Sequence, residues 1–187
     1  MTTRSATDRR AAPSGRDEVA VAVLEAAADL FAERGPAATS IRDIAARSKV
    51  NHGLVFRHFG TKEQLVGAVL NHLGASLTAL LRSGAPADAL DRALDRQTRV
   101  WARTLLDGYS AEQLQARFPN LAELLDYVRT RHHDDASARL AVANAVALRL
   151  GWRLFEPMLR SATGVQLSDT ELRQAVQAEV ERILEPR

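Results

Sequence analysis

Residues 49–62 read KVNHGLVFRHFGTK, a stretch in which basic and polar side chains are interleaved with leucine, valine and phenylalanine. The stretch is too polar for a core and too apolar for an ordinary loop. Val55 and Phe59 are four residues apart, so on a helix they share one face and can anchor it on the rest of the protein. We therefore predict a short surface helix from Asn51, its N-cap, to Phe59, with Gly60 closing it and its other face free to contact a partner.

Two more helices are predicted upstream of this segment. The first spans residues 16–34, because apolar residues recur there at helical spacing, and the Gly-Pro pair at 35–36 ends it. The second starts after Ser40, a good N-cap with Asp43 at the capping-box position, and ends near Ser48. Thr61 then caps a fourth helix of about residues 61–82. Two short helices joined by a tight turn and supported by a longer one predict a helix-turn-helix domain.

The rest of the chain is also helical by its composition, which is rich in Ala, Leu, Arg and Glu and poor in Gly and Pro. Further helices lie between Pro86 and Gly108, on either side of Pro119, up to Gly164, and after the N-cap Ser168. The predicted fold class is all-α, with about nine helices and no strand. We divide the chain into a disordered arm (1–15), a helix-turn-helix domain (16–60) and a C-terminal helical domain (61–187), linked by the helix of residues 61–82.

The composition narrows the class of protein. The chain has 187 residues, 46% of them apolar, and no cysteine, which excludes a disulfide framework and a cysteine nucleophile and fits a reducing cytoplasm. Lys and Arg number 25 against 23 Asp and Glu, and the excess lies within residues 1–75, which suits a polyanionic partner. Adjacent His132 and His133 point about 100° apart on a helix, so no metal is expected there. Since no catalytic or phosphate-loop motif is present, we expect no enzyme activity and no cofactor.

Polar side chains on and around the predicted third helix suit DNA. Asn51 can bond adenine with both amide atoms, and His52 can bond guanine or a phosphate. Gly53 has no side chain and lets the backbone come close to a groove. The remaining candidates are cations and hydroxyls suited to phosphates, with the two hydroxyls acting first as helix caps: Arg42, Lys49, Arg57, His58, Lys62, Thr39 and Ser40. For each of them a solvated helix face is the alternative.

These residues belong to a longer pattern. The stretch TSIRDIAARSKVNHGLVFRHFGTKEQL (39–65), preceded by LEAAADLFAERG (24–35), resembles the DNA-binding domain of TetR-type transcriptional regulators over about residues 16–73. The resemblance implies an all-helical homodimer that binds a palindromic operator through its second and third helices. It also implies a C-terminal regulatory domain that binds a small-molecule effector and dimerises through its last two long helices. By the same resemblance, bases are contacted by Arg42, Asn51, His52, Gly53 and Leu54, and phosphates by Ser40, Phe56, His58 and Lys62.

Three positions depart from the family pattern. The family usually has Tyr where Phe56 stands, and a small polar residue or Ala where Leu54 stands. Phe56 can still pack on the sugar-phosphate backbone, and Leu54 can meet a thymine methyl. Lys49 replaces the usual Gly of the turn, so we expect it to adopt a left-handed conformation at some cost while adding charge near the DNA. We expect operator binding to be retained with a shifted base preference.

The C-terminal half offers candidates for an effector pocket and for a dimer interface. The pocket candidates are aromatic and basic residues: Trp101, Arg103, Phe118, Tyr127, Arg149, Trp152 and Phe155. The interface candidates form an apolar stripe on the last two helices: Ala141, Ala145, Leu148, Trp152, Leu159, Leu172, Val176 and Val180. Ordinary core packing is the alternative for both sets.

We therefore expect a homodimeric repressor that binds a double-stranded DNA operator and is released by an unknown small-molecule effector. We expect no association with a membrane. An activator, or a regulator without a ligand, would use the same DNA-binding domain. A helical ligand-binding protein or an enzyme that does not bind DNA is the remaining alternative.

Overall fold

The computed structural model describes residues 15–110, 112, 114 and 119–186. Within this part of the chain there are eight α-helices and no strand, so the predicted all-α fold is confirmed. The helices are α1 (Arg16–Arg34), α2 (Ile41–Ser48), α3 (His52–Phe59), α4 (Lys62–Arg82), α5 (Ala87–Leu106), α6 (Pro119–Arg129), α7 (Asp135–Thr163) and α8 (Asp169–Leu184). The arm of residues 1–15 and the short helix predicted before Pro119 fall almost entirely outside the described residues.

The ends of the short helices follow the predicted caps. The Ser40 hydroxyl accepts the Asp43 N–H at 3.1 Å, and the Asp43 carboxylate accepts the Ser40 N–H at 2.9 Å, which completes a capping box at the start of α2. The Asn51 side-chain oxygen accepts the Gly53 N–H at 2.8 Å and caps α3. Each cap joins residues two or three positions apart, which is why a local sequence pattern is enough to locate it.

The main core is built around α1, which contacts α2, α3, α4 and α5. Phe31 of α1, Ile44 of α2 and Leu65 of α4 are completely buried and belong to one cluster. Val100 of α5 joins the same cluster, so the N-terminal helices share their apolar core with α5. This packing is needed because α2 and α3 have eight residues each and would not persist as isolated helices.

A smaller cluster holds the C-terminal helices together. Val128 of α6 packs with Ala138 and Val142 of α7. α8 lies along α7, and its residues Leu172 and Val180 are buried. α7 therefore contacts both α6 and α8, and Leu184 of α8 packs on the cluster shared by α6 and α7.

α4 is the one described helix whose length and composition would allow it to cross a membrane. Leu65, Val69 and Leu73 of α4 are buried in the main core, where α4 packs against α1 and α5. The apolar character of α4 is therefore accounted for by its place in the fold.

Polar contacts also tie α5 to the N-terminal helices. The guanidinium of Arg96 contacts the carboxylates of Glu25 and Asp29 on α1, each at 2.7 Å. At the other end of α5, the Asp107 carboxylate accepts the backbone N–H of Ala37, at 2.6 Å, in the loop that leads to α2. A displacement of α5 would therefore be transmitted to the middle of α1 and to the loop that follows it.

Candidate nucleic-acid interface

The turn between α2 and α3 consists of three residues, of which the first two fix its shape. Lys49 closes α2 with φ at 57°, in the left-handed region, as the sequence predicted. The buried Val50 donates its N–H to the carbonyl of Ala45 at 3.0 Å. Asn51, the third residue, is already the cap of α3. The turn is therefore held by the buried Val50, and it sets the angle between the two short helices.

α3 is held by one face only. Val55 is the single buried residue of this helix, with 1% of its surface exposed, and Phe59 packs half-buried against the same core. On the opposite face Phe56 is 66% exposed, and Gly53 and Arg57 are also exposed. The mixed composition of the segment thus corresponds to two faces, and the exposed one carries the candidate DNA contacts.

Four cations of α2, the turn, α3 and the start of α4 form no ion pair among the described residues, although Lys62 acts through space on its neighbour Glu63. No carboxylate in the described part of the chain lies within 4 Å of the charged groups of Arg42, Lys49, Arg57 or Lys62. Arg42, Lys49 and Arg57 are exposed, and Lys62 is half-buried as the first residue of α4. Unpaired cations grouped around the N-terminus of one helix and the faces of two others form a surface that attracts phosphates.

Cations on the adjoining side of the same domain are paired. Arg34 contacts the Asp43 carboxylate at 2.9 Å, and Arg47 forms two hydrogen bonds with Glu33, both at 3.1 Å. The N–H and hydroxyl of Ser40 lower the pKa of Asp43, and the hydrogen bond from Arg47 lowers the pKa of Glu33. Asp43 directly follows Arg42 in the chain. Since Asp43 is engaged by Arg34 and the α2 cap, Arg42 stays available.

The N-terminal end of α3 carries the two polar residues suited to bases. His52 is exposed at the first helical position, next to the bare backbone of Gly53. The oxygen of Asn51 already accepts the Gly53 N–H, so its amide NH₂ is the group left free to donate. This arrangement favours His52 over Asn51 as the residue that discriminates between bases.

Three of the candidate residues are placed differently from the prediction. Thr39 is only 1% exposed and donates its hydroxyl to the Gly35 carbonyl at 2.7 Å, so its side chain is engaged within the fold. Leu54 and His58 are half-buried on the flank of α3 that faces the start of α1. Together with Arg57 they line a groove of about 560 Å³ that α1 closes. Leu54 therefore lies beside the exposed face and not at its centre.

The cap of α4 adds a further anion-binding feature. The Thr61 hydroxyl accepts the Gln64 N–H at 3.3 Å, and Gln64 in turn accepts the Thr61 N–H at 2.8 Å. Lys62 follows directly on this cap. The positive end of the α4 dipole and the Lys62 ammonium therefore act on the same region.

We expect the substitution Lys49→Gly to stabilise the fold and to weaken DNA binding. A left-handed backbone costs a residue with a β-carbon about 1 kcal/mol, of which the greater freedom of glycine in the unfolded chain offsets a part. The same change removes an exposed cation. Urea denaturation measures the first effect, and a DNA titration at two salt concentrations measures the second. Lys49→Ala is the matched control, because it removes the charge and keeps the β-carbon. A lower unfolding free energy for the glycine variant than for the alanine variant would contradict this account.

A second site lies among the C-terminal helices. A cavity of about 1060 Å³ opens between α4, α5, α6, α7 and α8. Of the predicted pocket residues, Trp101, Arg149 and Trp152 line it. Its walls also include apolar residues that the sequence did not single out, among them Leu77, Leu94, Leu121, Leu124 and Val146. They were missed because a leucine at helical spacing gives no sign of which neighbour it faces.

The other predicted pocket residues lie elsewhere. Arg103 donates its Nε–H to the carbonyl of Ala32 at 3.0 Å and so binds α5 to α1. Tyr127 is exposed, with the Arg131 guanidinium stacked 4.3 Å from its ring centre. Phe155 is exposed on the outer face of α7, 54% of its surface being accessible. Phe118 lies outside the described residues.

Four of the residues predicted for the dimer interface are buried within the protomer. Ala141 and Ala145 of α7 are buried, and Ala141 belongs to the cluster that α6 and α7 share. Leu172 and Val180 of α8 are buried in the same way. The remaining members either line the cavity or are half-buried: Trp152, Val176, Leu148 and Leu159. The exposed apolar side of α7 is a different one.

Comparisons with known proteins agree with this geometry. The sequence model described as "Bacterial regulatory proteins, tetR family" matches residues 23–69, which include α2 and α3. The chain is 72% identical to the HTH-type transcriptional repressor Rv3405c of Mycobacterium tuberculosis strain H37Rv. It has the same identity to the HTH-type transcriptional regulator Mb3439c of Mycobacterium bovis, and both alignments cover 187 residues and the full length of both chains. Its fold is similar to that of a transcriptional regulator from Aquifex aeolicus VF5, with a TM-score of 0.57 at 16% identity over 88% of this chain and 99% of that one.

Proposed function

Because this chain belongs to the TetR family of bacterial transcriptional regulators, we propose that it is a homodimeric repressor that binds a palindromic DNA operator and is released by a small molecule. The observation that carries this proposal is the set of four cations on α2, the turn, α3 and the start of α4 that form no ion pair among the described residues. Cations that a protein does not neutralise internally are available to phosphates. The protein would act in the cytoplasm, where its operator lies.

In the proposed complex α3 enters the major groove with its N-terminal end toward the bases. His52 and the amide of Asn51 contact base edges, and Gly53 lets the backbone approach. Arg57 and Lys62 contact phosphates at the far end of the helix, where they fix its position without reading the sequence. Phe56, which is exposed, packs on the sugar-phosphate backbone.

A palindromic operator requires a second copy of the chain, and α7 offers a surface for it. Apolar residues that are exposed or half-buried on its outer side recur at helical spacing: Leu140, Ala143, Ala147, Gly151, Leu154, Phe155 and Met158. The small residues at 143, 147 and 151 let another helix come close, and the large residues flank them. We name this set the outer stripe of α7 and propose that it pairs with the same stripe of a second protomer about a two-fold axis. The exposed Asn144 lies on the same side, and its amide can both donate to and accept from a side chain of the second protomer.

The cavity is connected to the DNA-binding helices through α5. Trp101 faces the cavity from α5, while Arg96 and Asp107 of the same helix contact α1 and the loop before α2. A molecule that shifts α5 would move both α3 helices of the dimer relative to each other. Release follows when their separation no longer matches successive major grooves, which lie about 34–36 Å apart.

A selection from random DNA duplexes, followed by titration of two variants, tests this function. We expect the selection to yield a short palindrome whose binding weakens steeply with salt. Lys62→Ala is expected to weaken binding to all sequences alike and to reduce the salt slope by about one charge, because Lys62 contacts a phosphate. His52→Ala is expected to relax base preference at one position of each half-site, with a loss of about 1–3 kcal/mol for the best base. If no duplex is enriched, or if both variants bind like the parent protein, the proposal is wrong.

A further inference from the structure

The walls of the C-terminal cavity are mainly apolar, with two tryptophans among them. Trp101 and Trp152, the two tryptophans of the chain, line it from α5 and α7. Leucines from α4 and α6, such as Leu77 and Leu124, complete the apolar surface. A cavity of about 1060 Å³ has room for a molecule with an extended aliphatic or aromatic body.

The carboxylates that line the cavity are all engaged. Asp91 contacts Arg153 at 2.7 Å, Asp95 contacts Arg99 at 2.9 Å, and Glu156 contacts Arg160 at 2.8 Å; these are the three acidic residues in the described lining. A cationic ligand would therefore have to displace an arginine from one of these pairs.

Of the arginines that line the cavity, some form ion pairs with carboxylates and others do not. Arg92 contacts Asp88, and Arg153 contacts Asp91, each at 2.7 Å. Arg149, by contrast, donates to the neutral side chain of Gln177 at 2.5 Å, and no carboxylate in the described part of the chain lies within 4 Å of it. Arg173, at the exposed edge, likewise contacts a neutral group, the Thr170 hydroxyl at 3.4 Å. Neither Arg149 nor Arg173 therefore forms an ion pair with a described residue, and Glu181 offsets the charge of Arg149 only through space.

Arg149 is exposed at the rim of the cavity, as Arg173 is, but a chain of side-chain hydrogen bonds holds it in place. The Gln177 amide donates to the Glu181 carboxylate at 2.6 Å, and the Gln177 oxygen accepts from Arg149. The Gln177 side chain therefore lies between the guanidinium and the Glu181 carboxylate. Desolvation lowers the pKa of Arg149 and the nearby charge of Arg153 lowers it further, while the charge of Glu181 raises it in part. An anion brought next to Arg149 would relieve both effects. A guanidinium has five N–H donors, so the group that holds Gln177 can still bind a carboxylate with two more.

We propose that the effector is an amphipathic anion, an aliphatic or aromatic molecule with one carboxylate-like group that Arg149 binds while the tryptophans and leucines enclose its body. This inference rests on the proposed function only in taking the cavity as the effector site. The anionic group defines the orientation of the ligand, since it meets the guanidinium on α7 and leaves the apolar body toward α5 and α6.

Tryptophan fluorescence can test the ligand class, because both tryptophans line the cavity. The full-length protein is titrated, below the micelle concentration, with straight-chain carboxylates from hexanoate to tetradecanoate, and with decanol and decyltrimethylammonium. We expect at least one carboxylate to bind at least tenfold more tightly than the alcohol or the cation. Arg149→Leu is expected to raise the Kd of that carboxylate roughly tenfold or more and to change the Kd of decanol less than about threefold.

Controls separate a lost contact from a damaged fold. Arg139→Leu removes an exposed arginine of α7 that pairs with Asp135 outside the cavity, and we expect it to leave carboxylate affinity unchanged. Arg149→Gln keeps a polar side chain beside Gln177 and is expected to lose affinity as the leucine variant does. The inference is overturned if no carboxylate binds with a Kd below about 1 mM, if decanol binds equally well, or if neither Arg149 variant differs from the parent.

A mobility-shift assay with a selected operator separates this inference from the proposed function. We expect the best carboxylate to release the parent protein and Arg139→Leu from the operator, and to leave Arg149→Leu bound. Operator binding that no carboxylate weakens contradicts the ligand class alone. Failure to bind any selected duplex contradicts the proposed function, whatever the fluorescence titration gives.

Discussion

The substitution Val55→Asp is expected to abolish operator binding while the C-terminal helices stay folded. Val55 is 1% exposed and is the single buried residue of α3. A carboxylate at this point is desolvated without a partner, which costs several kcal/mol. α3 has eight residues and cannot persist without its packing, so the helix is expected to leave the surface on which its DNA contacts depend.

The measurement combines a DNA titration with circular dichroism. We expect the Kd for the selected operator to rise at least about 100-fold, which corresponds to about 2.8 kcal/mol, with a loss of helical signal limited to the short helices. Val55→Ala is the matched control, because it removes buried methyl groups without introducing charge and should cost only about 1–3 kcal/mol of stability. Operator binding by the aspartate variant at parental affinity would show that α3 is held by other contacts.

The helix ends were predictable because the contacts that set them are local. Ser40 with Asp43, Asn51 with Gly53, and Ser168 with Glu171 are pairs two or three residues apart, and each forms the cap that the sequence indicated. The left-handed turn at Lys49 could be predicted for a related reason. The family usually has a glycine at this position, which marks a backbone with positive φ.

The faces of the long helices could not be predicted in the same way. α7 is rich in alanine on all sides, so its sequence contains two apolar stripes, one through Ala141 and Ala145 and the other through Leu140 and Ala147. The packing of Val128 from α6 buries the first stripe and leaves the second exposed. Only the position of α6 decides between them, and that position depends on contacts far apart in the chain.

The pairing of cations was unpredictable for a similar reason. Asp43 follows Arg42 in the chain, yet the carboxylate points to Arg34 at the end of α1. Neighbouring residues on a helix diverge by about 100°, whereas residues of crossing helices can face each other directly. The division of the N-terminal domain into a side with paired cations and a side with unpaired cations is therefore a property of how α1 and α2 pack.

The outer stripe of α7 carries the other prediction with a large effect, because the two α3 helices bind as one unit only while the protomers stay together. Loss of the dimer converts a two-site contact into a one-site contact. Linked sites of this kind gain about 10²- to 10⁴-fold in affinity over a single site. A substitution that separates the protomers should therefore affect operator binding strongly, although it lies in another part of the molecule from α3.

Ala147→Arg is expected to convert the protein to a folded monomer and to weaken operator binding by about 10²- to 10⁴-fold. Ala147 is exposed in the middle of the outer stripe, so an arginine fits on the free protomer but would place a charge in the apolar contact between two copies. Sedimentation velocity measures the assembly state, and titration with full and half operators measures the coupling. Ala122→Arg on the exposed side of α6 is the matched control and should remain dimeric. If Ala147→Arg sediments as a dimer and distinguishes full from half operators as the parent does, the second protomer binds elsewhere, and the large apolar residues Leu140 and Met158 have another partner.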